Sequence, residues 1–169
     1  VRTVFGDNVS HGTSGGAIHS PSNLSVVESR FNRNQAINGS GGAIQSGGTN
    51  TVFEIEKSSF IGNMAGNTGG AINTSDDLTV SESSFVDNSS DGSAGAIGID
   101  RSDLTISQST LSRNTTAGSG GAIVFGNAVA GKKLILQSTT IADNSAGSFG
   151  GGISTSGGVE LYNSIIASN

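Results

Sequence analysis

The chain has no cysteine, no tryptophan, one proline and one tyrosine in 169 residues. Without cysteine there is no disulfide framework, no thiolate zinc site and no thiol nucleophile. Charge is scarce as well: Asp, Glu, Lys and Arg make up 12% of the residues and the balance is −5. That argues against nucleic acid as a partner, because phosphate binding needs a basic surface. No apolar run approaches the ~20 residues of a membrane-crossing helix, so this segment is not expected to insert into a membrane. The first residues do not read as a secretory leader, and a chain opening on Val1 is expected to be a processed or excised piece.

What the chain does hold is 27 glycines and, with Ser, Thr and Asn, a half share of small polar residues. Such a composition would ordinarily signal disorder. Here the apolar residues are strictly placed. Gly-Gly-Ala-Ile stands at residues 15–18, 41–44, 69–72 and 120–123, with variants at 94–97 and 150–153. Alternating with it is aromatic-x-x-Asn, led by Phe5, Phe31, Phe60 and Phe85, then by the aliphatics Leu111, Ile141 and Ile166. A third motif, apolar-x-apolar, begins at Leu24, Phe53, Leu78, Leu104, Leu134 and Val159.

The third motif precedes the aromatic or aliphatic lead residue by 7 positions every time, and the lead residue precedes the Ile of the glycine motif by 12 or 13. The stretch after that Ile carries nearly all the variation, and the period is 25–30 residues. Alternation of period two and a shortage of helix formers exclude a helical repeat. A propeller blade needs about 40 residues per unit. The expected architecture is therefore an all-β solenoid, a parallel β-helix with three short strands per coil and a single domain over 1–169. The variable corner is expected to carry loops at 45–51, 98–103 and 124–133.

Each fixed position then becomes a column of stacked residues. The leads Phe5, Phe31, Phe60 and Phe85 are expected to stack inside. Three residues on, Asn8, Asn34, Asn63, Asn88, Asn114, Asn144 and Asn169 form an expected amide ladder that satisfies a buried turn. Two residues before the lead, Thr3, Ser29, Ser58, Ser83, Ser109, Thr139 and Ser164 form an inward hydroxyl column. The paired glycines fit a tight bend. A residue type repeated in every coil is a stacking device, whereas an active site is a unique constellation, so no catalytic residue is assigned to these columns.

The alternating GGAI and FxxN motifs resemble the repeat of chlamydial polymorphic outer membrane proteins, over the whole chain. The resemblance implies a right-handed, single-stranded parallel β-helix, here about six and a half coils. It also implies a cell-surface or secreted passenger, autotransporter-like and often adhesive, at an extracellular location. It carries over no catalytic residues.

Charges form columns too. Arg2, Glu28, Lys57 and Glu82 stand three residues before the lead, alternating in sign. Two residues after it stand Asp7, Arg33, Gly62, Asp87, Arg113 and Asp143. Stacked opposite charges are expected to pair and to fix register. At the variable corner Asp77 and Asp103 are equivalent, with Asp76, Asp100, Arg101 and Lys133 nearby. Three readings compete there: a solvated cluster Asp103–Lys133–Arg101, a Ca²⁺ site using Asp76, Asp77, Asp100 and Asp103, and a carboxylate pair acting on a polysaccharide. No other cofactor is expected. His11 and His19 read as surface positions. Neither end shows a polar cap, so continuation in a longer solenoid or end-to-end self-association is expected. The resulting functional expectation is a non-enzymatic surface stalk or adhesin binding a protein or glycan through its corner loops, with a polysaccharide lyase or hydrolase as the alternative.

Overall fold

A computed structural model of the chain describes residues 3–48, 51–127 and 129–169. Every strand pairing in it is parallel, and the strands build one seven-stranded and three six-stranded sheets. The described residues contain no helix. The fold is an all-β parallel solenoid of about six coils.

A coil holds four strands, not the expected three. One coil runs Arg30–Asn32, Gln35–Ala36, Ile44–Ser46 and Val52–Glu56. The additional strand is the two-residue segment after each Asn, such as Met64–Ala65, which pairs with Gln35–Ala36 on one side and Ser89–Ser90 on the other. Two residues are too few to leave an alternation signature in sequence. The glycine-motif strand also runs further than the loop reading allowed, reaching Asp100 and Gly126 in two coils.

Register follows the columns. Phe31 stands opposite Phe5 and Phe60, Ile72 opposite Ile44 and Ile97, and Leu104 opposite Leu78 and Leu134. The inward residues of adjacent coils make one continuous core of Phe, Ile, Leu, Val and Ala. In it the rings of Phe5, Phe31, Phe60 and Phe85 stack at centroid separations of 4.5, 4.7 and 4.7 Å with nearly parallel planes. The separation is the interstrand spacing itself.

Corners close each coil, and three of them use the left-handed backbone region. The glycine motif supplies one. Its first residue has positive φ in every coil, from +41 at Gly15 to +71 at Gly69. Its second glycine is required by contact: a Cβ on Gly42 would lie 2.0 Å from the Gly70 carbonyl oxygen, and one on Gly70 2.1 Å from that of Gly95. Ala94 is the one first-position alanine, at φ +60. Four residues after it stands Gly98, where other coils carry a side chain.

The other two left-handed corners are the charge columns. Asp7, Arg33, Asp87, Arg113 and Asp143 have φ of 50 to 57, and Glu28, Lys57 and Glu82 have φ of 46 to 47. For residues other than Gly, Asn and Asp this conformation is uncommon. It turns the side chains out at the bend, where they stack one coil apart. Arg2, at the start of the second of these columns, lies outside the described residues.

Candidate functional site

The polar columns come first, because their chemistry decides what is left over. Each interior Asn carboxamide is saturated. Asn88 Nδ2 donates to the Phe60 carbonyl at 3.0 Å and to Asn114 Oδ1 at 2.9 Å. Its Oδ1 accepts from Asn63 N at 3.0 Å and Asn63 Nδ2 at 2.9 Å. The same pattern links Asn8, Asn34, Asn63, Asn88, Asn114, Asn144 and Asn169. A carboxamide has two donors and an oxygen with two lone pairs, so an interior Asn has nothing left for a ligand.

The hydroxyl column is a second ladder. Ser58 Oγ donates to the Glu56 carbonyl at 2.8 Å and accepts from Ser29 N at 3.0 Å. Ser83 does the same with Ser81 O and Ser58 N. These serines are engaged on both sides and carry no adjacent base, the opposite of an activated nucleophile.

In the charge columns Arg33–Asp7, Arg113–Asp87 and Lys57–Glu82 pair across coils, while the shortest contact of Lys57 is to Glu56 of its own coil. Arg33 forks onto Asp7 at 2.7 and 2.9 Å, and Arg113 onto Asp87 at 2.8 and 3.1 Å. The Arg33 hydrogen bond holds the Asp7 carboxyl below its ordinary range. The Arg113 guanidinium is pushed up by its hydrogen bond to Asp87, with Asp143 adding attraction from the other side. Lys57 lies 2.5 Å from Glu56 and 3.7 Å from Glu82.

At the variable corner the structure separates the four aspartates. Asp76 is 2% exposed and turned inward. Its carboxylate accepts from Gly48 N at 2.9 Å and from the hydroxyls of Ser46 and Thr51, and its own N–H donates to Thr74 Oγ1. It ties down the corner after Ser46. The next residue, Asp77, opens the following strand and faces the other way, while Asp76 sits in the bend before it. Asp77 and Asp103 do come together, but around a lysine. Lys132 Nζ lies 2.8 Å from Asp77 Oδ1 and 2.9 Å from Asp103 Oδ2. Each carboxylate also accepts the backbone N–H of the following coil, Asp103 N on Asp77 and Lys133 N on Asp103, both at 2.8 Å. Burial pushes the Asp77 carboxyl up, but Lys132 and the Asp103 N–H outweigh it and the net shift is downward. The two carboxylates push Lys132 up.

The expected cluster Asp103–Lys133–Arg101 is thereby corrected. Lys132 holds the bridging place, Lys133 pairs with Glu160, and Arg101 stands 3.6 Å from Asp100. Lys132 ends a loop longer than in other coils and stands two residues before Leu134, a position filled in the two preceding coils by the buried Asp76 and Ser102, so the column pointed to no outward lysine there. The adjacent lysines at 132 and 133 were the available signal. Asp100 stands apart on the outward side of its strand. Among the described residues no group of three or more His, Cys, Asp or Glu converges as a metal cage would. His11 and His19 are both exposed.

Compared with known families, curated proteins and solved structures, the chain matches none. No helix among the described residues is long and apolar enough to cross a membrane.

Proposed function

We propose that this chain is a non-enzymatic extracellular or cell-surface module, a stalk or adhesin segment that presents its corners and outward sheet faces to a protein or glycan partner. The reading rests first on one observation: the repeated Asn, Ser and charged columns spend their hydrogen-bonding capacity on one another. The motifs that dominate the sequence are therefore scaffold. The resemblance of the GGAI and FxxN alternation to polymorphic outer membrane proteins supports a surface location.

The dispersal of the four aspartates supports the same reading. A glycosidase needs two carboxyl groups about 5 to 10 Å apart facing one cleft. Asp76 is buried and hydrogen-bonded, Asp77 and Asp103 share Lys132 between them, and Asp100 faces outward beside Arg101, away from the other three. The test is twofold. Purified chain incubated with polyuronates and neutral polysaccharides is expected to release no reducing ends and no unsaturated products. Antibody raised against it is expected to label intact, unpermeabilised cells of its source. Product release that disappears in Asp100→Asn, or labelling only after permeabilisation, contradicts the proposal.

A further inference from the structure

One outward face is broken by missing side chains. On the glycine-motif strands the outward positions of successive coils are His19, Gln45, Asn73, Gly98, Val124 and Ser154, and the two longer strands add Asp100 and Gly126. Gly98 and Gly126 thus lie diagonally across one patch, beside Val124 and Asp100. The result is a groove of about 330 Å³, at the lower end of the ~300–1,000 Å³ of small-molecule sites. Its floor is backbone at Gly126, while at Gly98 the Thr68 and Asn73 side chains cover the backbone. A Cβ on Gly98 would meet Thr68 Cγ2 at 2.6 Å and Asn73 Oδ1 at 2.8 Å, because both neighbours lean over the glycine. At Gly126 a Cβ would meet nothing nearer than Asp100 Oδ1 at 3.4 Å, so it is there that a ligand can approach the backbone closely.

The walls define the ligand chemistry. Ser40, Thr68 and Ser93 line one side, with Asn73 between coils and Asp100 and Asn127 on the other side. No Lys or Arg lines the groove, and Arg101 beside it is paired with Asp100, so the groove offers an anion no unpaired cation. Asp100 has Gly126 as its neighbour in the next coil; its Oδ1 lies over that glycine and its Oδ2 stands 3.6 Å from Arg101 Nε, with the side chain 42% exposed. A carboxylate with amides and hydroxyls around it matches a molecule rich in paired hydroxyls. The column of Ser93 continues along the axis, beyond the groove, as Ser119 and then Phe149, successive coils joined by the Ala94 N–Ser119 O and Gly120 N–Phe149 O bonds. Phe149 is 77% exposed. It stands two coils from Ser93, about 10 Å at the usual strand spacing, and offers the flat apolar surface on which a sugar ring can lie.

We infer that this groove binds a neutral saccharide, with Asp100 and Asn127 gripping ring hydroxyls and Phe149 carrying a neighbouring ring. The inference rests on the reading of the chain as a binding module and supplies the partner class. One carboxylate in the groove suits binding without hydrolysis.

The test is saturation-transfer NMR and titration of the full chain with cellobiose, lactose, mannobiose and N,N′-diacetylchitobiose. At least one is expected to bind. Asp100→Asn is expected to weaken it about tenfold, the size of one hydrogen bond to a charged group. Val124→Arg, which places a long side chain across the groove, is expected to abolish it. Thr79→Arg, on another sheet face, serves as the control with unchanged binding. Binding of none of the four, or wild-type affinity in Val124→Arg with the thermal transition intact, overturns the inference. Cleavage of a bound disaccharide would instead overturn the non-enzymatic reading and leave the groove's ligand in place.

Discussion

Removal of one rung from the Asn ladder has a calculable effect. In Asn88→Ala the Asn63 backbone N–H and one proton of the Asn63 carboxamide lose their acceptor, and the Phe60 carbonyl and Asn114 Oδ1 each lose a donor. Asn63, Asn88 and Asn114 are all 0% exposed. A buried donor left without a partner costs about 1–3 kcal/mol, so two of them cost ~4 kcal/mol in all. Asn114 Oδ1 keeps the Asn88 N–H and adds little. A loss of that size is a large part of the ~5–15 kcal/mol that holds an ordinary domain. Asn8→Ala is the internal comparison: Asn8 is exposed and donates its carboxamide to Asn34 alone. It should cost no more than ~1 kcal/mol. Asn88→Asp should cost more than Asn88→Ala, because a carboxylate cannot donate and would face the Phe60 carbonyl and Asn114 Oδ1. Urea unfolding followed by circular dichroism gives all three values. An Asn88→Ala loss no greater than that of Asn8→Ala would refute the reasoning.

Four further perturbations probe other parts of the structure. Gly70→Ala puts a Cβ 2.1 Å from the Gly95 carbonyl oxygen and 2.4 Å from that of Ser89; a loss of at least ~3 kcal/mol or failure to fold is expected, and an unchanged melting temperature contradicts it. Ala94→Gly, at φ +60, should be neutral or raise stability by up to ~1 kcal/mol, because relief of left-handed strain is partly offset by backbone entropy. Arg113→Glu places three acids in succession with Asp87 and Asp143; calorimetry should show a lower melting temperature and a deficit that shrinks in high salt, and an intact melting temperature would remove the role assigned to the charge ladder. Acid should weaken the fold through Asp7, Asp77 and Glu160, all held below their ordinary range. A depressed carboxyl contributes its stability above the unfolded value of about 4 and loses it as pH falls through the folded value. The urea midpoint should therefore drop below pH 4, and less steeply in Lys132→Met, where Asp77 has lost the lysine that lowers it; equal slopes in the two proteins would contradict the assignment.

The columns were legible because each repeats one side-chain chemistry at a constant offset. Phe31, Phe60 and Phe85, Asn34 to Asn144 and Ser29 to Ser109 all stand where column arithmetic puts them. The fourth strand was not legible, since Gln35–Ala36 or Ser89–Ser90 is too short to alternate. Nor were the left-handed corners at Glu28, Lys57 and Arg113. Their residue types do not favour positive φ, and the corner is imposed by the coils above and below. The Asp corner was half legible. Asp77 and Asp103 stack as their equivalence required, but which lysine reaches them depends on an insertion whose path no repeat fixes. Asp76 and Asp77, adjacent in sequence, belong to opposite sides of the wall. That separation arises at the bend, where Asp76 turns in to bond Gly48, Ser46 and Thr51 before the strand begins at Asp77.

The central claim is that the repeated polar residues are internal scaffold, engaged with one another in every coil. Hydrogen exchange of the Asn backbone and carboxamide protons, followed by NMR, tests it most directly. Protection approaching that of global unfolding is expected at Asn34, Asn63, Asn88 and Asn114, falling towards Asn8 and Asn169. Exchange at Asn63 and Asn88 as fast as at an exposed loop amide would contradict the account.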